Sequence, residues 1–274
     1  MKRILIPTDF SPCAQNATQV GAAIAKATGA EILLLHIIYS PLGLEKLPSK
    51  LADYPEMKEA VLKAKRQLNK EVSSAALKKL KVETKLDVGT PARDIVYYTK
   101  SWKADLVAIG THGTAEADHP FVGSNAQKVL RGADCPVLSV QKNHTVKNLK
   151  KFVFASNFDE RSIKPFEKIL VLAKALNASV EFLHICTPIN FKSTRTIQTM
   201  MDNFAQNFPD VKFTRALYTD FEVHNGISSY LEENPQGIVA LATRTRQYQP
   251  SYTLGVTESV AFHSPVPVLS VNMK

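Results

Sequence analysis

The chain has few of the residues that build covalent or metal-based frameworks. Only three of its 274 residues are cysteines, Cys13, Cys135 and Cys186, and no two of them form a CxxC pair. An odd, widely spaced set of this kind does not make a disulfide framework and lacks the ligand spacing of a structural zinc site. Because 45% of the residues are hydrophobic and 8% aromatic, we expect the fold to be held by an ordinary apolar core.

Long apolar runs are also lacking. The longest ones are short and strand-like, well below the roughly 20 residues of a membrane-spanning helix. The N-terminus enters a strand at Ile4 without a signal-peptide apolar region. The net charge of +9 is spread over both halves and accompanies no recognised nucleic-acid motif. We therefore expect a cytoplasmic protein with no membrane partner and no specific nucleic-acid partner.

Short buried strands alternate with helical patterns along the whole chain. The first half has strand patterns at Ile4–Ile6, Ile32–Ile38, Val82–Val88, Leu106–Ile109 and Pro136–Val140. Helical patterns lie between them, the first from Ser11 to Gly29 and the second over residues 55–80. This alternation predicts βαβ units, and right-handed crossovers make them a doubly wound α/β sandwich with a parallel sheet.

The second half repeats the first. Residues Lys151–Phe158 match Arg3–Phe10 at an offset of 148, and Pro267–Val271 match Pro136–Val140 at an offset of 131. The smaller offset at the end means that the second half is shorter than the first, and the missing residues fall in the region of the second helix and third strand. We interpret the chain as a tandem duplication, with domains at residues 1–142 and 149–274.

The segment after the fourth strand is the candidate ligand site. Gly110 and Gly113 follow the strand, nine residues intervene, and Gly123-Ser124 opens a helix. Glycines let backbone N–H groups approach a ligand with no Cβ in the way, and a helix N-terminus adds donors and a positive dipole end. The pattern predicts an anion cradle, with phosphate as the expected anion. It is not a P-loop, because Gly-Lys-Ser/Thr is missing.

These landmarks resemble the universal stress protein family in its tandem two-domain form. The most specific match is the pattern G-x-x-G, nine residues, G-[S/T], which runs here from Gly110 to Ser124. The ending of strand one (Pro7–Ser11), the Leu35–Ile37 triplet and the Cys135–Leu138 finish also match, in the family's order. The resemblance covers nearly the whole chain.

The resemblance implies a five-stranded parallel sheet in each domain, of order 3-2-1-4-5, with helices on both faces. It also implies ATP, or AMP or ADP, at the carboxyl ends of strands one and four of the N-terminal domain, with the presence of Mg²⁺ left open. Asp9 would meet the adenosine end, and Ile37 would offer adenine an apolar wall. The nucleotide-binding residues implied in this way are Pro7, Thr8, Asp9, Ile37, Gly110, Thr111, His112, Gly113, Gly123, Ser124 and Asn125.

Several of these residues also have purely structural interpretations. Asp9 could cap the chain near Ser11 rather than bind a ligand. His36 recurs as His184 in the second half, which favours a structural hydrogen bond at a strand end. His112 could contact phosphate or a metal, but no carboxylate cluster with ligand spacing accompanies it, and no metal site is expected.

No catalytic residues are predicted. Ser124 has no histidine partner that the sequence identifies, and no lysine or arginine is placed as in phosphoryl-transfer enzymes. We expect at most a weak ATPase.

The second half keeps the strands and loses the pattern. Arg244 and Arg246 remain in its loop and could attract an anion, but we expect no nucleotide there by the family's mode. The residues at the positions of Asp9, Gly110, Gly113 and Ser124 are Asn157, Ala242, Thr245 and Val256.

Two functions remain open from the sequence. The first is an ATP- or AMP-binding stress-response or regulatory protein with one nucleotide site. The alternative is a non-catalytic interaction or structural module whose pocket is vestigial or binds another small ligand. The Val/Leu-rich strands Pro136–Val140 and Pro267–Val271 predict that the two domains pair within the chain, and a homodimer is left open.

Overall fold

The computed structural model describes residues 1–40, 55–112, 124–144, 149–243 and 255–273. The chain divides into two compact units, Met1–Lys142 and Asn143–Lys274. Among the helices that lie in these ranges, none has both the length and the apolar character needed to cross a bilayer.

The N-terminal unit is a five-stranded parallel sheet flanked by helices. Its strands are β1 (Arg3–Pro7), β2 (Glu31–Tyr39), β3 (Val82–Gly89), β4 (Leu106–Gly110) and β5 (Val137–Val140). Its helices are α1 (Pro12–Thr28), α2 (Pro55–Val72), α3 (Pro91–Ser101) and α4 (Ser124–Gly132). The strand order is β3-β2-β1-β4-β5, with parallel pairing, which confirms the predicted order 3-2-1-4-5.

Helix α1 begins and ends where its sequence predicts. The Ser11 hydroxyl accepts a hydrogen bond from the Ala14 N–H at 3.2 Å, and Pro12 occupies the first helical turn, where a missing N–H costs nothing. Gly29 ends the helix in the left-handed conformation, with φ of 69°. This fixed start matters for the site, because the first turn of α1 lies directly after the end of β1.

Helix α2 is shorter than predicted, and the prediction of a helix over residues 55–80 was wrong beyond Val72. The Ser73 hydroxyl donates to the Asn69 carbonyl at 2.9 Å, a side-chain bond of the kind that competes with helix continuation. The chain then continues in turns, and Lys79 adopts a left-handed φ of 74°. The helical periodicity of residues 73–80 therefore reflects the burial of Leu77 rather than a further turn of helix.

The C-terminal unit has the same architecture. Its strands are β6 (Lys151–Ala155), β7 (Ser179–Cys186), β8 (Phe213–Thr219), β9 (Ile238–Thr243) and β10 (Val268–Asn272). Its α-helices are α5 (Ile163–Ala175), α6 (Thr194–Ala205), α7 (Val223–Glu233) and α8 (Val256–His263), and a short 3-10 helix spans Glu160–Ser162. The parallel strands follow the order β8-β7-β6-β9-β10.

The two units differ in length between their second and third strands. Ile32 pairs with Val82, 50 residues further on, whereas Val180 pairs with Phe213, only 33 residues further on. Helix α6 accordingly has 12 residues where α2 has 18. The shortening lies in the region where the offsets between the two halves of the sequence place it.

Candidate functional site

The carboxyl ends of β1 and β4 form the candidate site of the N-terminal unit. These strands are neighbours at the centre of the sheet, where the chain order reverses between β2 on one side and β4 on the other. In doubly wound sheets, ligands bind in the crevice at this topological switch point. Asp9 follows β1, and Gly110 ends β4. The Ser11 hydroxyl donates to the His112 carbonyl at 3.3 Å, so the loops that follow the two strands are in contact.

The loop after β1 is a tight turn held by its own side chains. The Thr8 N–H donates to the Leu35 carbonyl of β2 at 2.8 Å, and the Thr8 hydroxyl accepts the Phe10 N–H at 3.1 Å. One carboxylate oxygen of the exposed Asp9 accepts the Ser11 N–H at 3.0 Å. Asp9 therefore has the local capping role that the sequence left open for it. Pro7, the last residue of β1, is buried.

The same turn occurs in the C-terminal unit. Phe10 has a φ of 64°, and Phe158, 148 residues later, has a φ of 56°. In both turns a hydroxyl two residues earlier accepts the phenylalanine N–H, with Ser156 at 3.0 Å replacing Thr8. Left-handed conformations of this kind cost energy and often mark functional sites. Because both units contain this one, it belongs to the architecture rather than to a ligand of either unit.

The repeated histidines hold the ends of the first two strands of each sheet together. His36 Nδ1 lies 2.7 Å from the Thr8 carbonyl, and His184 Nδ1 lies 3.1 Å from the Ser156 carbonyl. Burial lowers the pKa of both imidazoles, and the neutral ring donates its Nδ1–H to the carbonyl. The predicted structural role at a strand end is confirmed.

Gly110 is required for a reason that the sequence did not predict. A Cβ on this residue would lie 2.7 Å from the backbone nitrogen of Ala14 and 2.8 Å from the carbonyl carbon of Cys13. Both atoms belong to the first turn of α1, so the glycine lets α1 pack closely against the end of β4. The close approach that excludes a side chain here is that of a helix. At the equivalent position in β9, Ala242 carries a Cβ.

The remaining described residues of the predicted set lie near the carboxyl ends of β2 and β4 and at the start of α4. Ile37 is buried in β2, and Thr111 is buried after β4, with its N–H donating to the Val140 carbonyl at 3.0 Å. The Thr111 hydroxyl and His112 Nδ1 are 2.9 Å apart. Asn125 is exposed in the first turn of α4.

Part of the predicted phosphate cradle cannot be placed. Gly113 and Gly123 lie outside the described residues, as do Arg244 and Arg246 of the C-terminal unit. Helix α4 begins at Ser124, whose side chain is likewise outside the described part. Among the residues that are described, no group of three or more His, Cys, Asp or Glu side chains could hold a metal ion.

Sequence analysis missed Glu71, which forms a polar cluster with Thr8 and Thr18. The Thr18 hydroxyl donates to one carboxylate oxygen at 2.6 Å, and the Thr8 hydroxyl lies 3.2 Å from the other. Burial raises the pKa of Glu71, and the negative charge of Asp9 raises it further, while the two hydroxyl donors oppose the shift. We call these three residues the Glu71 cluster. A carboxylate is thus held directly beside the turn that carries Asp9.

A signal for Glu71 was present in the helical spacing. Val61, Ala64 and Leu68 of α2 are buried, and Glu71 continues their i, i+3, i+7, i+10 stripe towards the core. An acidic residue on the buried stripe of a lysine-rich helix is unusual because a buried charge needs partners. Glu71 is the charged member of this stripe, and its helical position alone therefore singles it out.

The C-terminal unit fills the equivalent space with aromatic rings. Phe166 stands at the position of Thr18 by the offset of 148, and Phe204 is the penultimate residue of α6 as Glu71 is of α2. The two ring centroids are 5.4 Å apart. The fold therefore does not require a carboxylate here, and the N-terminal unit retains one for another reason.

The fold and the crevice define the class of the protein. Each unit is a doubly wound α/β sandwich of the kind that binds ligands at the carboxyl ends of its central strands. The model of the universal stress protein family matches residues 1–141. The chain belongs to the universal stress protein family.

Comparison with known proteins agrees with this assignment. A universal stress protein from Methanocaldococcus jannaschii is 34% identical over 148 residues, which cover 52% of this chain and 82% of that protein. The crystal structure of a universal stress protein from Archaeoglobus fulgidus is similar over 99% of this chain and 98% of its own, with a TM-score of 0.77 and 18% identity, and shows the shared fold. A further universal stress protein, crystallised in complex with cAMP, is 22% identical over 51% of this chain and 96% of its own, with a TM-score of 0.40.

Proposed function

We propose that the chain is an adenine-nucleotide-binding stress-response or regulatory protein with one nucleotide site, in the N-terminal unit. The observation that carries the proposal is the contact between the loops after β1 and β4, where the Ser11 hydroxyl meets the His112 carbonyl at 3.3 Å. This contact gathers Asp9 and Thr111 at the topological switch point. Membership of the family supports the same conclusion.

The predicted residues would each contact a different part of the nucleotide. Asp9 would accept hydrogen bonds from the ribose hydroxyls, and Ile37 would contact adenine. Gly113, Gly123 and Ser124 would surround the phosphates with backbone and hydroxyl donors at the start of α4. ATP is the expected ligand, with AMP and ADP as alternatives and Mg²⁺ as an optional companion.

The Glu71 cluster supports a ligand site rather than a purely structural crevice. Its carboxylate accepts from Thr8, the residue before Asp9, and thereby holds the turn from below. The C-terminal unit reaches the same fold with Phe166 and Phe204 at these positions. Burying a carboxylate costs free energy that an apolar pair does not, so its presence fits a need to position the turn.

Isothermal titration calorimetry with ATP on the full chain tests the proposal. We expect Gly113→Val to weaken ATP binding by at least about tenfold, because a branched side chain would fill the space that the phosphates occupy. The matched control is Thr245→Val, which places the same side chain at the equivalent position of the C-terminal unit and should leave ATP binding unchanged. AMP and cAMP are titrated in the same way.

Equal ATP affinity in the wild type and Gly113→Val would contradict the assigned cradle. Mass spectrometry of the denatured protein provides independent evidence, because a nucleotide retained through purification would identify the ligand directly. Turnover is expected to be slow or absent, since no catalytic base or phosphate-directed lysine is predicted.

A second candidate function, an interaction or structural module without a nucleotide, is favoured by one observation. Gly110 is accounted for by the close packing of α1 alone, without any ligand. This candidate predicts that ATP causes no thermal shift and that no nucleotide co-purifies. Both measurements separate it from the nucleotide-binding proposal.

Three further proposals come from the sequence. The repeated offsets and the matching strand orders support a tandem duplication. Pairing of the two units within the chain and a cytoplasmic location remain predictions.

The sequence also leaves open whether the chain forms a homodimer. Light scattering on the purified chain would distinguish a monomer from a homodimer.

A further inference from the structure

The C-terminal unit contains a cavity of about 340 Å³ at the carboxyl ends of its central strands. Ser156 and Asn157 after β6 line it on one side, Ala242 and Thr243 of β9 on the other, and Val256 at the start of α8 closes a third. The cavity therefore lies at the topological switch point of the second sheet. Its volume is at the lower end of the range for small-molecule pockets, roughly 300–1,000 Å³.

One wall of the cavity is aliphatic. Branched side chains from three different elements meet there, and Ile227 and Leu241 among them are almost fully buried. Aliphatic side chains of this kind suit the face of a flat heterocycle, because that face is weakly hydrated and little hydration is lost when it is covered. The aliphatic residues are Ile185, Val223, Ile227 and Leu241.

Other residues of the lining carry hydroxyl, amide and carboxylate groups. The Thr243 hydroxyl lies 2.8 Å from that of Thr257, so two hydroxyl groups of the lining lie together. Asp159 is held in place by hydrogen bonds from the Ser162 hydroxyl at 3.0 Å and the Arg161 guanidinium at 2.5 Å. A fixed carboxylate is the kind of group with which doubly wound folds bind ribose hydroxyls.

The start of α8 is already occupied by an anion of the protein itself. Glu258 is buried, and its carboxylate accepts the Gly255 N–H at 2.7 Å. The equivalent residue of the N-terminal unit, 132 positions earlier, is Ala126, which has no such group. A helix N-terminus attracts one anion through its exposed N–H groups and dipole, and a second negative charge beside a buried carboxylate is disfavoured. No lysine or arginine is among the cavity-lining residues that the structure describes.

We propose that this cavity binds an uncharged molecule of nucleoside size, and that the Glu258 carboxylate excludes ligands that carry a phosphate. The aliphatic side chains cover the base, the hydroxyl and carboxylate groups bind the sugar, and the start of α8 offers no place to a phosphate. The two units of the chain thus have chemically different ligand sites. This inference goes beyond the proposed function, which concerns the N-terminal unit.

Calorimetry with adenosine on full-length Gly113→Val tests the proposal in a chain whose N-terminal phosphate cradle is weakened, and a blocking variant of the C-terminal cavity shows which unit the adenosine occupies. Val256→Phe is the blocking variant, because Val256 lines the cavity and is 38% exposed, so that a larger side chain can enter the space without disturbing the core. We expect it to weaken adenosine binding by at least about tenfold. Val171→Phe is the matched control, since Val171 is an exposed valine of α5 outside the cavity, and it should leave binding unchanged.

A second blocking variant keeps the test decisive if Val256→Phe does not fold. Asn157→Trp places a large ring into the cavity from an exposed position after β6. Circular dichroism confirms folding of every variant. The proposal is overturned if none of adenosine, guanosine, cytidine and uridine binds, or if binding is unchanged in both folded blocking variants.

The role of Glu258 is tested by comparing adenosine with AMP. In Gly113→Val we expect AMP to bind at least about tenfold more weakly than adenosine, and Glu258→Gln to reduce this difference while the amide oxygen still accepts the Gly255 N–H. Equal binding of AMP and adenosine before the Glu258 change would overturn the exclusion. A separate ATP titration of Val256→Phe with Gly113 intact reports on the N-terminal site alone, so the two proposals can fail independently.

Discussion

The two units of this protein reach one strand order with different cores. The sheet of the N-terminal unit is filled by aliphatic side chains such as Ile4, Ile6 and Leu34, all fully buried. At the equivalent positions, 148 residues later, the C-terminal unit has Phe152, Phe154 and Phe182. Helix α6 is also six residues shorter than α2. The pattern of burial, rather than the identity of the buried residue, specifies this fold.

The comparison extends to the candidate sites. Where the C-terminal unit packs Phe166 against Phe204, the N-terminal unit holds the half-buried Glu71 carboxylate against two threonine hydroxyls. Aromatic rings stabilise the fold by packing together, whereas a carboxylate that is withdrawn from water needs hydrogen-bond donors or an opposite charge. The difference indicates that the C-terminal unit is built mainly for packing at this point, and the N-terminal unit for holding a turn.

The largest expected effect concerns the aromatic core. Phe154 is fully buried and its ring lies 4.7 Å from that of Phe166, so we expect Phe154→Ala to lower the free energy of unfolding of the C-terminal unit by about 3–5 kcal/mol. Urea denaturation followed by far-UV circular dichroism measures this loss. Phe191→Ala, at a residue of the same unit that is 77% exposed, is the control and should change the free energy by less than about 0.5 kcal/mol.

The single tryptophan allows this result to be assigned to a unit. Trp102 lies in the N-terminal unit, so its fluorescence follows the unfolding of that unit only. A loss below about 1 kcal/mol for Phe154→Ala would show that the aromatic cluster is not the core of the C-terminal unit.

An intermediate effect on stability is expected at Gly110, a position at which the C-terminal unit has an alanine, Ala242. Gly110→Ala places a Cβ within 2.7 Å of the Ala14 backbone nitrogen and should cost about 1–3 kcal/mol, because backbone atoms must move. The reverse change, Ala242→Gly, should cost only about 0.5–1 kcal/mol through backbone entropy. Urea denaturation measures both, with Trp102 fluorescence for the first. If Gly110→Ala were as stable as the wild type but lost ATP binding, the glycine would be explained by the ligand and not by the packing of α1.

How much of this could be predicted from sequence depends on the range of the contacts. The strand order and both ends of α1 depend on local patterns and on a family resemblance, and the structure has them as predicted. The role of Gly110 depends on the distance between a strand end and α1, about 100 residues apart in the chain, which no local pattern reports. The partners of Glu71 lie 53 and 63 residues away. Tertiary contacts of this kind were visible in the sequence only as an acidic residue on a buried stripe.

The smallest expected effect is on the titration of His36 and His184, which make the same hydrogen bond in surroundings of opposite charge. Burial lowers the pKa of both below the ordinary 6.5, and then Asp9 opposes the shift at His36 whereas Lys192 adds to it at His184. Asp9→Asn should therefore lower the pKa of His36, and Lys192→Gln should raise that of His184, each without affecting the other ring. The pH dependence of the imidazole Cε1–H resonances measures both values by NMR. Since the folded state binds fewer protons than the unfolded chain below about pH 6.5, each histidine also makes the protein less stable as the pH falls through this range. If the pKa shifted in the same direction in the two variants, the neighbouring charges would not set the difference between the pKa values of His36 and His184, and burial alone would do so.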